Sequence, residues 1–186
     1  ARWDERYRNA GPAALDEVGP PAVFAPFAEL FPTSGRAVEL ACGRGTTAVW
    51  LAQRGLEVLA VDVSPVAVRL ARDLSVRAGV AQRCSFEVLD LDDGLPAGPP
   101  ADVVVCYLFR DARLDRAIVE RLSPGGIAAV AAASEVGGRP GRFRVPPGGL
   151  RRAVEAFEVL EVLHSGEGGG GAWVLARRRS VRGGFT

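Results

Sequence analysis

Ala37-Val38-Glu39-Leu40-Ala41-Cys42-Gly43-Arg44-Gly45-Thr46-Thr47-Ala48 decides the fold. A short apolar run of strand type enters a glycine-rich turn. Thr46 or Thr47 can then satisfy the first free N–H groups of a helix. Gly43, Gly45 and Ala48 fit the G-x-G-x-x-G/A spacing in the strand-to-helix context that gives it meaning. A turn this tight, with a ligand pressed on its backbone, has little room for a Cβ. Asp62 closes the next strand, about 20 residues on, where a carboxylate can accept bonds from ribose hydroxyls. The pair points to an adenosine-containing cofactor. The alternative is that the glycines only make the turn and Asp62 only caps the next helix.

Outward from this loop the chain alternates. Strands are predicted at 37–41, 57–61, 84–89, 102–107 and 127–133, and helices at 46–54, 65–78 and around 114–122. Ser64-Pro65 supplies an N-cap and a first-position proline for the helix over 65–78, whose apolar stripe is Val66, Leu70 and Leu74. The polar 90–100 stretch leaves little room for a helix, and 123–126 reads as a turn. The last elements are a loop over 137–149, a helix over 150–156, and strands at 157–163 and 172–177 joined by a glycine loop over 166–171. Near-continuous apolar strands separated by helices imply a parallel sheet covered on both faces. The expected fold is α/β and Rossmann-like: seven strands, mostly parallel, with an antiparallel C-terminal hairpin. Ligands of such sheets bind beyond the carboxyl ends of the strands. The 186 residues are read as one domain, with an N-terminal helical segment (1–35) over the cofactor cleft, a cofactor-binding core (36–135) and a C-terminal helix and hairpin (136–186).

Composition excludes several classes. Basic and acidic residues number 23 and 22, a net charge of +1, without the basic excess of a dedicated nucleic-acid binder. Every basic residue is arginine, which codon bias explains without a mechanism. No apolar run reaches the ~18 residues of a membrane helix, and no signal-peptide pattern is present. Three cysteines, Cys42, Cys84 and Cys106, form no disulfide framework, so a reducing cytoplasm is the expected compartment. No metal site is expected: His164 is the single histidine.

Residues 38–45 resemble the first motif of the class I S-adenosylmethionine-dependent methyltransferases, and Val61-Asp62-Val63-Ser64-Pro65 resembles their second. Glu87-Val88-Leu89-Asp90-Leu91, Asp102-Val103-Val104-Val105-Cys106-Tyr107 and Leu122-Ser123-Pro124-Gly125-Gly126 resemble the ends of their third, fourth and fifth strands. Size, and the opening Trp3-Asp4-Glu5-Arg6-Tyr7, are similar to small bacterial members of the tellurite-resistance and thiopurine-methyltransferase type. The resemblance implies S-adenosylmethionine as cofactor, S-adenosylhomocysteine as product, and a small-molecule acceptor. It also implies roles. Glu39 would orient the loop or meet the methionine amino group. Ala41, Cys42, Gly43 and Gly45 would line methionine and ribose. Asp62 would bind the ribose hydroxyls, Val63 would pack on adenine, and Asp90 would bind its amino group with Leu91 alongside. Cys106 and Tyr107 would line the cofactor near the sulfonium. The family usually has glycine where this chain has Ala41.

The catalytic residue is not legible, because much of the catalysis of in-line methyl transfer can come from positioning. Tyr107, Arg110 and His164 are the candidates, each with a structural alternative: a cleft wall, the start of the next helix, and a solvated or structural histidine. Cys42 and Cys106 end neighbouring strands and are read as small residues filling a tight switch point rather than as a redox pair. Trp3 and Tyr7 either fold over the cofactor mouth or staple the core. Arg139, Arg142, Arg144, Arg151 and Arg152 form a basic cluster that suits an anionic substrate, even RNA, or a solvated face. Arg177–Arg179 reads as a tail. A monomer or homodimer is expected. The rival functions are a small NAD(P)-binding oxidoreductase and a cofactor-binding module without transfer.

Overall fold

The computed structural model describes residues 2–139, 141 and 144–180. Helix α1 (Arg2–Ala10) and two 3-10 turns, Leu15–Glu17 and Ala25–Leu30, precede the sheet. Then follow β1 (Arg36–Leu40), α2 (Thr46–Gln53), β2 (Glu57–Asp62), α3 (Pro65–Arg77), β3 (Cys84–Val88), β4 (Ala101–Tyr107) and α4 (Asp115–Arg121). The chain continues through β5 (Leu122–Ser134), β6 (Arg144–Val145), α5 (Gly149–Glu155), β7 (Leu160–Gly168) and β8 (Gly171–Arg178). The strand order is β3-β2-β1-β4-β5-β8-β7. The first five are parallel, and β8 runs antiparallel to both β5 and β7. Arg142 of the basic cluster lies outside the described residues.

Alternation along the strands builds two cores. Ala37, Val103, Val105 and Leu175 face one side, under α2, α3 and the N-terminal segment with Phe24 and Phe31. Val38, Leu40, Val104 and Cys106 face the other, under Leu114 and Ile118. Ser64 caps α3 by accepting the Ala67 N–H at 3.2 Å, and Pro65 occupies the first turn. Between β3 and β4 there is only a 3-10 turn, Leu91–Asp93, as the polar composition requires. Among the described residues no helix is long and apolar enough to cross a membrane.

The structure corrects four expectations. The sheet has eight strands, not seven: Arg144 and Val145 pair with Ala133 and Ser134 where β5 outruns β4. A two-residue strand set by a tertiary partner leaves no period in the sequence. The expected turn over 123–126 is absorbed into β5 as an irregularity, with Gly125 at φ +83° while pairing with β4 jumps from Ala101–Leu122 to Val103–Ile127. The glycine loop over 166–171 shrinks to Gly169-Gly170, both at positive φ, a two-residue turn of the kind that matches strand twist. Arg177 and Arg178 belong to β8 rather than to a tail. Arg178 donates to the carbonyls of Val119 and Glu120 at the end of α4 and to Leu122 just beyond it.

Gly45 shows how closely the loop and α3 approach. Its φ is +81°, and a Cβ there would lie 2.6 Å from the Ala71 Cβ and 3.0 Å from the Ala71 Cα. Gly79 has a similar φ of +73° with nothing within 4 Å. Gly79→Ala is therefore expected to cost about 1–2 kcal/mol of backbone strain. Gly45→Ala should cost a further ~1–3 kcal/mol through overpacking. Urea unfolding of both variants measures the difference.

Candidate cofactor site

The chain leaves β1 through three positive-φ residues: Ala41 at +54°, Gly43 at +54° and Gly45 at +81°. The loop is held from within. The Cys42 N–H donates to the Val61 carbonyl at 2.9 Å, and the Gly45 N–H to the Cys42 carbonyl at 3.0 Å. The Gly43 N–H donates to Asp62 Oδ2 at 2.8 Å. The other oxygen, Asp62 Oδ1, accepts the Ser64 N–H at 2.9 Å. One carboxylate, only 4% exposed, thus joins the loop after β1 to the loop after β2. Burial pushes its pKa up, and the two N–H bonds oppose that shift.

Glu39 lies beneath this loop, also 4% exposed. Burial pushes its pKa up to about 8. The Ala48 N–H and the Thr47 hydroxyl pull the other way, and the charge of Asp62 adds to the rise. Among the described residues its Oε2 has no hydrogen-bond partner.

The N-terminal segment docks on the loop. Tyr7 lies against Gly43, where a Cβ would sit 3.1 Å from its hydroxyl. Burial, then the nearby Asp62 charge, raises the Tyr7 hydroxyl to about 12. The Ser64 hydroxyl donates to Asp4, and Arg44 bonds Glu17 at 2.7 Å. Trp3 stacks on Tyr7 with centroids 6.4 Å apart.

Residues 37–126 match a family model described as "Methyltransferase domain". Over that stretch, just under half of its length, the chain is similar to methyltransferase domains. Magnesium-protoporphyrin O-methyltransferase of Rhodobacter capsulatus is 40% identical over 73 residues, which are 39% of this chain and 31% of that protein. The chain spans 26–42% of the length of the curated relatives it matches. The fold is similar to TehB from Haemophilus influenzae, with a TM-score of 0.73 at 17% identity over 86% of this chain and 63% of that one. It is also similar to an S-adenosylmethionine-dependent methyltransferase from Mesorhizobium loti, with a TM-score of 0.69 at 21% identity over 89% and 100% of the two chains.

Within the matched stretch the structure gathers Glu39, Ala41, Cys42, Gly43, Gly45 and Asp62 around one loop. Val63 follows with 44% of its surface exposed. Asp90 is exposed and accepts the Asp92 N–H at 3.0 Å, while Leu91 turns into the core. Cys106 is 3% exposed, and its thiol donates to the Phe109 carbonyl at 3.3 Å. Cys42 packs in the opposite core, so the two sulfurs lie on different faces of the sheet and form no redox pair. Burial raises both thiols, Cys106 to about 12.

Of the candidate catalytic residues, Tyr107 packs on the core under α2 and α3, in register with Ala131 and, beyond it, Trp173. Arg110 grips the Asp115 carboxylate with two bonds of 2.5 and 2.7 Å. His164 is stacked on Phe27 with centroids 4.2 Å apart. It sits on β7, three strand spacings or about 14 Å from β4, and is not brought to the loop. In the basic cluster Arg144 donates to the Ser134 and Gly170 carbonyls, while the exposed Arg152 donates to the Pro147 carbonyl and the exposed Arg151 pairs with Glu155. Thr46 and Thr47 do not cap α2, whose cap position is Gly45 without a side-chain bond; the Thr47 hydroxyl turns to Glu39 instead. Asp4 and Leu108 were not singled out from sequence: Asp4 acts through a contact 60 positions away, and nothing in a leucine announces the φ of +59° that Leu108 adopts.

Glu39 gives a testable pH dependence. Its folded value of about 8 stands above the ordinary 4.5. Its contribution to stability is therefore fully present below about pH 4.5 and is lost as pH rises toward 8. Glu39→Gln should flatten the fall in unfolding free energy by up to about 1.4 kcal/mol per pH unit across this window. Denaturant titrations of the parent and the variant at several pH values measure it.

Proposed function

We propose that this chain binds S-adenosylmethionine at the Gly43–Gly45 loop and transfers its methyl group to a small-molecule acceptor, leaving S-adenosylhomocysteine. The observation that carries this reading is Glu39: a buried carboxyl with an oxygen that lacks a partner, beside a second buried carboxyl, Asp62. Such a pair favours a cationic ligand, and an unpaired buried charge is costly without one. A pyrophosphate gains nothing from such a pair: it meets a carboxylate at Asp62 and would drive Glu39 further toward its neutral form. The N–H groups of Cys42, Gly43 and Gly45 are already committed within the protein, which further disfavours a dinucleotide.

When bound, the cofactor supplies a methyl group already activated by the adjacent sulfonium. The chain's residues bind and orient. Glu39, ionised on meeting an ammonium group, holds the amino-acid end. Asp62 has two lone pairs left after its two N–H bonds and takes the ribose hydroxyls. Val63 offers an exposed apolar surface to adenine, and Asp90 an exposed carboxylate to its amino group. Ala41, Cys42 and the glycines set the closeness of approach. The backbone at Cys106 and the ring of Tyr107 bound the cleft at the end of β4. Trp3 and Tyr7 on α1 cover the loop and exclude water. Rate comes chiefly from holding the two partners in line. On this reading the protein is a cytoplasmic monomer or homodimer with a small-molecule acceptor rather than a nucleic acid, in keeping with a net charge of +1.

Calorimetric titration with S-adenosylmethionine, S-adenosylhomocysteine and NAD(P) tests the reading. The first two should bind and the third should not. Near pH 7, S-adenosylmethionine should release close to one proton from Glu39, read as a dependence of heat on the buffer's ionisation enthalpy. Binding of NAD(P) alone contradicts the reading. Formation of S-adenosylhomocysteine on addition of an acceptor separates an enzyme from a module that only binds.

A further inference from the structure

Among the described residues only two that are not glycine adopt positive φ, Ala41 at +54° and Leu108 at +59°. They are neighbours across the sheet. Ala41 follows Leu40, which pairs with Cys106 of β4, and Leu108 stands two residues beyond Cys106. Backbone strain in the described chain is thus concentrated at the carboxyl ends of β1 and β4, beside the cofactor loop. Strain of this kind clusters where a site over-determines its geometry.

Leu108 carries a second anomaly. Its side chain is 65% exposed, while its N–H is fixed to the Ala131 carbonyl at 2.9 Å. A turn with this φ is made most easily by glycine or asparagine, and a leucine there gains nothing from burial. Both features disfavour leucine on folding grounds, so its apolar side chain is explained by what it meets at the cleft. The charges after it are engaged with one another: Arg110 with Asp115, and Arg113 with Asp111 and Asp92. Phe109 is turned to the core under Leu114 and Ile118. In the chain from 108 to 113 Leu108 is the exposed apolar side chain, and both cations are paired with carboxylates.

We infer that Leu108 is a specificity-determining residue that contacts the methyl acceptor, and that the acceptor is an uncharged organic molecule presenting an apolar surface beside its accepting atom, not an inorganic or phosphate oxyanion. This rests on the proposed function for its second partner, the cofactor loop.

The test uses Leu108→Asn, which keeps a residue tolerant of the left-handed conformation. α-Naphthol is the apolar probe and inorganic phosphate the anionic one, each measured by equilibrium dialysis with and without saturating S-adenosylhomocysteine. The parent should bind α-naphthol and not phosphate. The variant should bind α-naphthol about tenfold more weakly. Its melting temperature should be equal or higher, and its S-adenosylhomocysteine affinity unchanged. The inference is overturned by equal α-naphthol affinity in the two proteins, by no α-naphthol binding to the parent, by tighter binding of phosphate, or by a lower melting temperature that makes Leu108 structural. Failure of S-adenosylhomocysteine to bind the parent removes the proposed function instead, and α-naphthol binding to the cofactor-free proteins then decides the role of Leu108.

Discussion

The carboxylate of Asp62 is the constraint on which the rest of the site depends. One oxygen takes the N–H of Gly43 and the other the N–H of Ser64. Two loops from adjacent parallel strands are thereby pinned to a single buried group. The first loop can then hold three successive left-handed turns at 41, 43 and 45 and feed α2. The second can present Ser64 as the cap of α3. The Ser64 hydroxyl passes the connection to Asp4, and so α1 is bound to the same point. A polar group this deeply buried is tolerated because both its oxygens are bonded.

Acidic groups accumulate around that point. Glu39 and Asp62 are both raised by burial, and each makes ionisation of its surroundings harder: the Tyr7 hydroxyl and the Cys42 thiol are pushed up in turn. The thiols are therefore inert fillers of the two cores rather than nucleophiles. A folded chain that keeps such a pair is less stable at neutral pH than it would be with amides there. Stability given up at one place, with left-handed Ala41 and Leu108 nearby, is the physical mark of a ligand site.

The sequence made the parallel core legible because its signals are local. The 38–48 run, Ser64-Pro65, and the Val66-Leu70-Leu74 stripe all reappear as β1, α2 and α3 within one or two residues. The residues around the first loop were legible for the same reason. What was not legible depends on partners far along the chain. Arg144–Val145 becomes a strand only because β5 extends past β4. His164, free to reach a substrate in a linear reading, is stacked on Phe27, well over 100 positions earlier. Arg110 is held by Asp115, and Tyr7 is drawn onto Gly43 by the docking of α1. Leu108 carries no signal in its residue type; only the backbone reveals it.

Titration of the parent and of Asp62→Ala with S-adenosylhomocysteine tests the central claim most directly, since the product avoids turnover. Loss of both loop bonds and of the proposed ribose contacts should weaken binding by about 10–100-fold, the scale of a few lost charge-assisted bonds. Circular dichroism of the variant should still report a folded α/β protein. Unchanged affinity in a folded variant would contradict the account, because it would mean that neither the pinned loop nor the carboxylate itself contributes to holding the cofactor.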